Sequence, residues 1–171
     1  MSEKNSPPEI RIESGYRPGA IGRVAELHSL YYHEHWGFEL YFEAKVATEL
    51  SAFLQRYDQN RDGFWLARQN GRIEGSVAID GIDADNKGAH LRWFIISDQL
   101  RGQGVGRKLL EKALVFCKTQ NYTKVYLQTF AGLTAARHLY EESGFKLVKE
   151  QNGKQWGTAV NEHFFVLEIQ P

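Results

Sequence analysis

Apolar residues along this chain switch between two periods, and the switches mark its elements. Ile10 and Ile12 alternate with charges over Glu9–Glu13, which predicts a short strand. After the turn Tyr16-Arg17-Pro18-Gly19, residues Ile21, Val24, Leu27 and Tyr31 recur at helical spacing, and that helix should fail near His33–Gly37. Val46, Leu50, Phe53, Leu54 and Tyr57 form one face of a second helix, closed by the polar loop Asp58–Gly63. Phe64–Gln69 and Arg72–Asp80 read as strands. Asn70-Gly71 between them predicts a tight hairpin, because both residues tolerate positive φ. Asp83–Gly88 is a turn, and the dense apolar run Leu91–Ser97 reads as a central strand buried on both faces. A helix follows over Val105–Thr119, then a strand over Lys124–Phe130 and a helix over Leu133–Glu142 that Gly144 should cap. Phe145–Glu150 and His163–Ile169 are the last strands.

The order β, α, α, β, β, β, α, β, α, β, β combines antiparallel hairpins in the first half with strand–helix–strand crossovers in the second. This implies an α/β (mixed α+β) fold, a mixed sheet flanked by helices. Residues 9–171 read as a single domain after a disordered lead over residues 1–8. Between the central strand and the third helix lies Arg101-Gly102-Gln103-Gly104-Val105-Gly106, followed by Arg107. A strand, a glycine-rich loop and a helix in sequence can bind phosphate. The first amides of a helix lack internal acceptors, and glycines let an anion approach the backbone closely. The dinucleotide fingerprint fails here, because its last glycine position holds Arg107. The Walker loop fails because Gly106 is followed by Arg107-Lys108 rather than Lys-Ser/Thr. A bare glycine turn before a surface helix remains the plain alternative.

Composition narrows the function classes. With 171 residues, 42% hydrophobic and 25% charged, the chain suits one globular domain. Lys plus Arg and Asp plus Glu both number 21, so charge offers nothing to nucleic acid, and no nucleic-acid partner is expected. No apolar run approaches the roughly 20 residues of a bilayer span, so no membrane partner is expected either. Cys117 stands alone, which excludes an internal disulfide and, with no signal peptide evident, suggests a cytoplasmic setting. His33-x-His35 lacks a third ligand and gives no metal site.

The glycine loop matches the Arg/Gln-x-x-Gly-x-Gly/Ala signature of the GNAT N-acetyltransferase superfamily. Phe94-Ile95-Ile96 resembles that family's splayed fourth strand, and Thr134–Phe145 its cofactor-side helix, which ends in a Tyr and then Gly-Phe. The segments Gly15–Gly22 and Leu133–His138 further resemble the acetyltransferase halves of fusions with MarR-class regulators, of which this chain would be a stand-alone version. The resemblance implies a twisted mixed sheet of about seven strands with about four helices, and acetyl-coenzyme A as cofactor. It implies cofactor contacts from Phe94, Ile95 and Ile96, from Arg101, Gly102, Gln103, Gly104, Val105, Gly106 and Arg107, and from Thr129, Ala135, Ala136 and Tyr140. Tyr140 would protonate the leaving thiolate. Phe130 stands where many relatives carry an Asn near the pantetheine, which puts that contact in doubt.

Acyl transfer needs a neutral amine, a site for charge on the acyl oxygen, and a proton for sulfur. From periodicity alone Tyr140 reads as a core aromatic with its hydroxyl at the surface, and the resemblance is what favours the acid. In the resembled family the junction of the first two helices roofs the acceptor site, here His33–Phe42. That places Glu34 as first choice of base, with Glu43, His35 or a water chain as alternatives, and His35, Trp36, Tyr41, Phe42 and Glu43 as acceptor contacts. The expected partner is a small-molecule or peptide amine, with room left for a homodimer. A non-catalytic acyl-coenzyme A sensor is the competing class.

Overall fold

The computed structural model describes residues 7–170; the lead read over residues 1–8 lies outside them for residues 1–6. Seven strands and four α-helices alternate in the predicted order: β1 (Ile10–Ser14), α1 (Ala20–Trp36), α2 (Leu40–Gln55), β2 (Gly63–Gln69), β3 (Arg72–Asp80), β4 (Ala89–Ile96), α3 (Val105–Thr119), β5 (Lys124–Phe130), α4 (Thr134–Glu142), β6 (Lys146–Gly153) and β7 (Val160–Glu168). One sheet runs β1-β2-β3-β4-β5-β7-β6, and its strands are antiparallel except for β4 beside β5. It is thus the mixed sheet the alternation implied.

The local signals act as the sequence suggests. Asn70 and Gly71 both take positive φ, 51° and 76°, in the β2–β3 hairpin. Gly37 takes φ 69° and stops α1. Gly144 takes φ 96°, and the Phe145 amide behind it returns to the Tyr140 carbonyl at 3.0 Å. Helices α1 and α2 cover one face of the sheet through Val24, Phe42, Leu50 and Phe53, packed on Phe64, Leu66 and Trp93. Helices α3 and α4 cover the other through Leu109, Leu110 and Tyr140, packed on Leu91, Val125 and Phe165. Burying such side chains contributes about 1.5–3 kcal/mol each.

Two expectations shift. The outer hairpin is longer than predicted, with β6 reaching Gly153 and β7 beginning at Val160. Most of β6 is exposed at the sheet edge, so no apolar pattern marked its end. The central strand β4 is not buried on both faces. Its odd positions are buried and its even positions only partly so.

The reason lies in a bulge. Ser76 pairs with Ile95 and Ala78 with Arg92, so Val77 of β3 faces two residues of β4, Trp93 and Phe94. Trp93 takes φ 47°, and its carbonyl accepts the Ser76 hydroxyl at 2.6 Å. An inserted residue reverses which face each later side chain meets. Leu91 belongs to the α3 side, Trp93 to the α1–α2 side, and Phe94 and Ile96 return to the α3 side. β4 pairs with β5 only at Ala89–Val125 and His90–Tyr126, so the two strands part from there on. The Ser97 amide donates to Glu74 of the β3 side at 2.7 Å. By strand alternation the backbone groups of Phe94 and Ile96 point the other way, into the gap beside β5.

Candidate active site

Two cavities open on the parted strands. The first is a groove between Tyr31 and Tyr32 of α1, the end of β4, the glycine loop and the start of α4. Gly102 and Gly104 take φ 73° and 75°, a left-handed conformation that disfavours other residues, and open space lies where their Cβ atoms would sit. Gly106 is packed instead: a Cβ there would meet Leu139, Phe94 and Ile96 at 3.4 to 3.6 Å. The start of α3 thus enters the groove through Val105, Gly106 and Arg107. Arg101 stands over the Tyr31 ring at 4.4 Å. Arg107 is held by Glu142 at 2.7 Å, and Glu142 also meets His138 at 3.0 Å.

The second cavity, about 300 Å³, lies on the α1–α2 side of the parted strands. Its apolar floor is Phe130 with Tyr32 and Trp156, backed by Trp36 and Phe38, the four rings lying 5.2 to 5.7 Å from that of Phe130. Its polar wall is carried by Lys45 and Glu49 of α2, His90 and Arg92 of β4, Gln128 of β5, and Gln155 before β7. Arg92 donates to Glu49, lies 3.6 Å from Asp80 and stacks over the Trp93 ring at 4.1 Å. Lys45 donates to the other Glu49 oxygen at 2.6 Å. Tyr32, Phe94, Leu133 and Ala136 line both cavities, so the two meet around Phe94.

Most of the residues expected to hold the cofactor line the groove: Phe94, Ile95, Ile96, Arg101, Gly102, Gly104, Val105, Gly106, Arg107, Ala135 and Ala136. Gln103 does not; its amide donates to the Gln99 carbonyl at 2.8 Å. Thr129 and Tyr140 line the second cavity instead, and Phe42 joins them there. The other residues expected at the acceptor lie elsewhere. Glu34, His35, Tyr41 and Glu43 are exposed and line neither cavity, while Trp36 is half-buried behind Phe130 and the backbone of Gly132. The helical repeat explains this. Phe42, Lys45, Val46 and Glu49 share one face of α2, and Tyr41 and Glu43 fall outside it. On α1, His28 and Tyr32 point inward and Glu34 outward.

The sequence reading therefore missed Lys45, Glu49, His90 and Arg92 as site residues. The available signal was polar residues at inward positions: two charges on the apolar face of α2, and a histidine and an arginine on an otherwise apolar strand. Burial governs the titratable groups here, because it penalises the charged form. It lowers His28 to about 4, against a hydrogen bond to the Val24 carbonyl at 2.8 Å. It lowers His90 to about 3, helped by the charge of Arg92. It raises the phenols of Tyr32 and Tyr140 well above their ordinary value, so both keep their protons at every physiological pH. Cys117, fully buried on the inner face of α3, is pushed up to about 12 and is an inert packing residue.

Known proteins share this architecture. A model of the acetyltransferase (GNAT) family matches residues 21–145. N-acetylaspartate synthetase of Xenopus tropicalis is 35% identical over 109 residues, which is 63% of this chain and 40% of that protein. The chain thus spans about two fifths of that curated relative's length. An acetyltransferase from Streptococcus agalactiae superposes with a TM-score of 0.71 at 23% identity, covering 94% of this chain and 98% of that one. A Salmonella typhimurium protein solved with its cofactor acetyl-CoA does so at 0.72 and 14% identity, covering 97% and 96%. The family match begins in the first turn of α1 and ends beside the cap of α4, taking in both walls of the groove and the parted strands between them; the chain belongs to the acetyltransferase (GNAT) family.

Proposed function

We propose that this chain transfers the acetyl group of acetyl-coenzyme A to the primary amine of a small acceptor. The observation that carries the reading is the meeting of a phosphate-ready groove and a separate polar cavity at one strand position, Phe94. The residues of the groove fit such a cofactor. A Cβ at Gly102 or Gly104 would project into open space beside the loop, and Arg101 and Arg107 line the same groove, paired with Asp98 and Glu142. Phe94 and Ile96 offer strand-edge hydrogen bonds to an extended amide-bearing arm.

The bound cofactor supplies an activated acyl group on a thiolate leaving group. The chain supplies the rest. Its amides in the gap beside the bulge stabilise negative charge that builds on the acyl oxygen. Tyr140, a protonated phenol that lines the second cavity with its ring 5.9 Å from that of Phe94, gives its proton to the departing sulfur. Tyr32, which lines both cavities, is the nearest competitor for that role. Glu34 stands outside both cavities, and among the described residues Glu49 is the one carboxylate that lines them, already engaged by two cations. The amine therefore loses its proton to solvent, through water passing His28 or His90. The relative's name, N-acetylaspartate synthetase, puts amino acids first among acceptors to try.

Among the described residues no helix is long and apolar enough to cross a membrane, and a cytoplasmic enzyme remains part of this reading. The narrower likeness to MarR-class fusions rests on Gly15–Gly22 and Leu133–His138 alone. A thiol-release assay with acetyl-coenzyme A across amino acids, simple amines, polyamines and short peptides tests the proposal. Release that depends on one class of amine supports it. Tight coenzyme A binding with no amine-dependent release would replace the enzyme with a sensor.

A further inference from the structure

The wall of the acceptor cavity carries an imbalance of charge. Lys45 and Arg92 are its two cations and Glu49 is its one carboxylate. His28 and His90 are neutral there at pH 7, their protonation held far below it by burial. Glu49 is already paired with both cations, one oxygen taken by Lys45 and the other by Arg92. Asp80 behind the wall receives two hydrogen bonds from Arg56 and so has its own counter-charge. An acceptor that is only a cation meets one carboxylate here, its charge already offset by two cations. An acceptor with a carboxylate finds the spare N–H donors of a guanidinium and an ammonium.

Arg92 is also held in place. Glu49, Asp80 and the face of Trp93 fix it from three directions, and only 20% of its side chain is exposed. A planar donor fixed in advance loses little freedom when it receives a carboxylate. Its position sets the size of the ligand. Arg92 precedes Phe94 by two residues on β4 with the bulge residue Trp93 between them, a backbone separation of at most about 7 Å. An amine placed at the junction around Phe94 and a carboxylate placed at Arg92 thus belong to one short molecule.

We infer that Arg92 and Lys45 form a carboxylate subsite, and that the acceptor is a small amino acid whose carboxylate they read while its amine faces Phe94. The inference rests on the acetyltransferase reading for its amine, and on the cavity alone for its carboxylate. Arg92→Gln is a suitable probe because both anions keep a partner without it, Glu49 with Lys45 and Asp80 with Arg56.

The test pairs transfer rates with binding. Aspartate, alanine and propylamine are compared as acceptors per unit of neutral amine, in wild type, Arg92→Gln and Lys45→Gln. Succinate, which has carboxylates and no amine, is titrated calorimetrically into coenzyme A-saturated protein. The expected result is kcat/KM at least about tenfold higher for the acids than for propylamine. Arg92→Gln raises the acid KM by about tenfold or more and changes the KM for propylamine far less, so the preference for acids over propylamine collapses. Succinate binds the wild type and not Arg92→Gln. Succinate binding lost in Arg92→Gln, with no transfer to any amine, would keep the carboxylate subsite and sink the acetyltransferase reading. Propylamine used as well as the acids, or succinate bound equally by wild type and Arg92→Gln, overturns the subsite and leaves the acetyltransferase reading standing.

Discussion

Ser76→Ala probes whether the bulge of β4 is held by one hydroxyl. Ser76 is fully buried, and its hydroxyl donates to the Trp93 carbonyl at 2.6 Å, at the one β4 residue with positive φ. A left-handed tryptophan costs about 1–3 kcal/mol and persists only where its surroundings fix it. The variant leaves a buried carbonyl without its donor, a loss of about 1–3 kcal/mol. For a chain of this size each kcal/mol lowers Tm by about 2–4 °C, so 2 kcal/mol corresponds to a drop of roughly 4–8 °C. The catalytic consequence is separate. If the hydroxyl holds Trp93, its loss lets the Phe94 amide drift from the gap. Losing an oxyanion donor entirely costs about 10²–10³ in rate, so a displaced one should cost about tenfold in kcat. The KM for acetyl-coenzyme A should barely change, because the glycine loop is untouched. Thermal melts by circular dichroism and a thiol-release assay measure the two effects. A Tm drop of that size with kcat within twofold of wild type would refute the positioning role and leave Ser76 a matter of stability alone.

Three further outcomes are expected. Gly104→Glu, which strains a φ of 75° and sets a carboxylate in the phosphate cradle, should weaken coenzyme A by more than about tenfold in calorimetry; unchanged affinity in a folded variant would remove the loop from the site. Tyr140→Phe should lower kcat by about 10²-fold with little change in coenzyme A affinity, and a larger loss in Tyr32→Phe would transfer the acid role to Tyr32. Unfolded histidine takes up its proton near pH 6.5 and folded His28 near 4, so stability is full above 6.5 and falls as pH is lowered through that window, by about 3 kcal/mol from this residue. In urea titrations at pH 7 and 4.5, His28→Gln should flatten that dependence, and an unaltered slope would place its origin elsewhere.

The order of strands and helices was legible because each element carried its own period or its own breaker. Asn70-Gly71, Gly37 and Gly144 all act where the sequence put them. The conformation of the glycine loop was legible too, since the positive φ of Gly102 and Gly104 is local backbone chemistry. The acceptor cavity was not. Lys45, Glu49, His90 and Arg92 come from a helix and a strand that meet only in the folded sheet, and each looks like an ordinary polar residue in its own segment. The bulge hid as well. Leu91–Ser97 reads as one continuous apolar run, and nothing local says that Trp93 is the extra residue. Glu34 drew attention for its position beside a helix break, yet rotation about the axis of α1 carries it outward.

One feature of the sheet reaches beyond catalysis. Backbone pairing across its middle consists of Ala89–Val125 and His90–Tyr126, whereas β5 and β7 are laddered from Lys124–Glu168 to Phe130–Glu162. The molecule is thus two laminates sharing a short seam, β1 to β4 on one side and β5, β7 and β6 on the other. A pantetheine arm lying along Phe94 and Ile96 would act as a mortar course in the open joint. Amide protons on both sides of the seam should then exchange more slowly in unison when coenzyme A is present. Resistance of the resting protein to proteolysis would follow the supply of its own acyl donor.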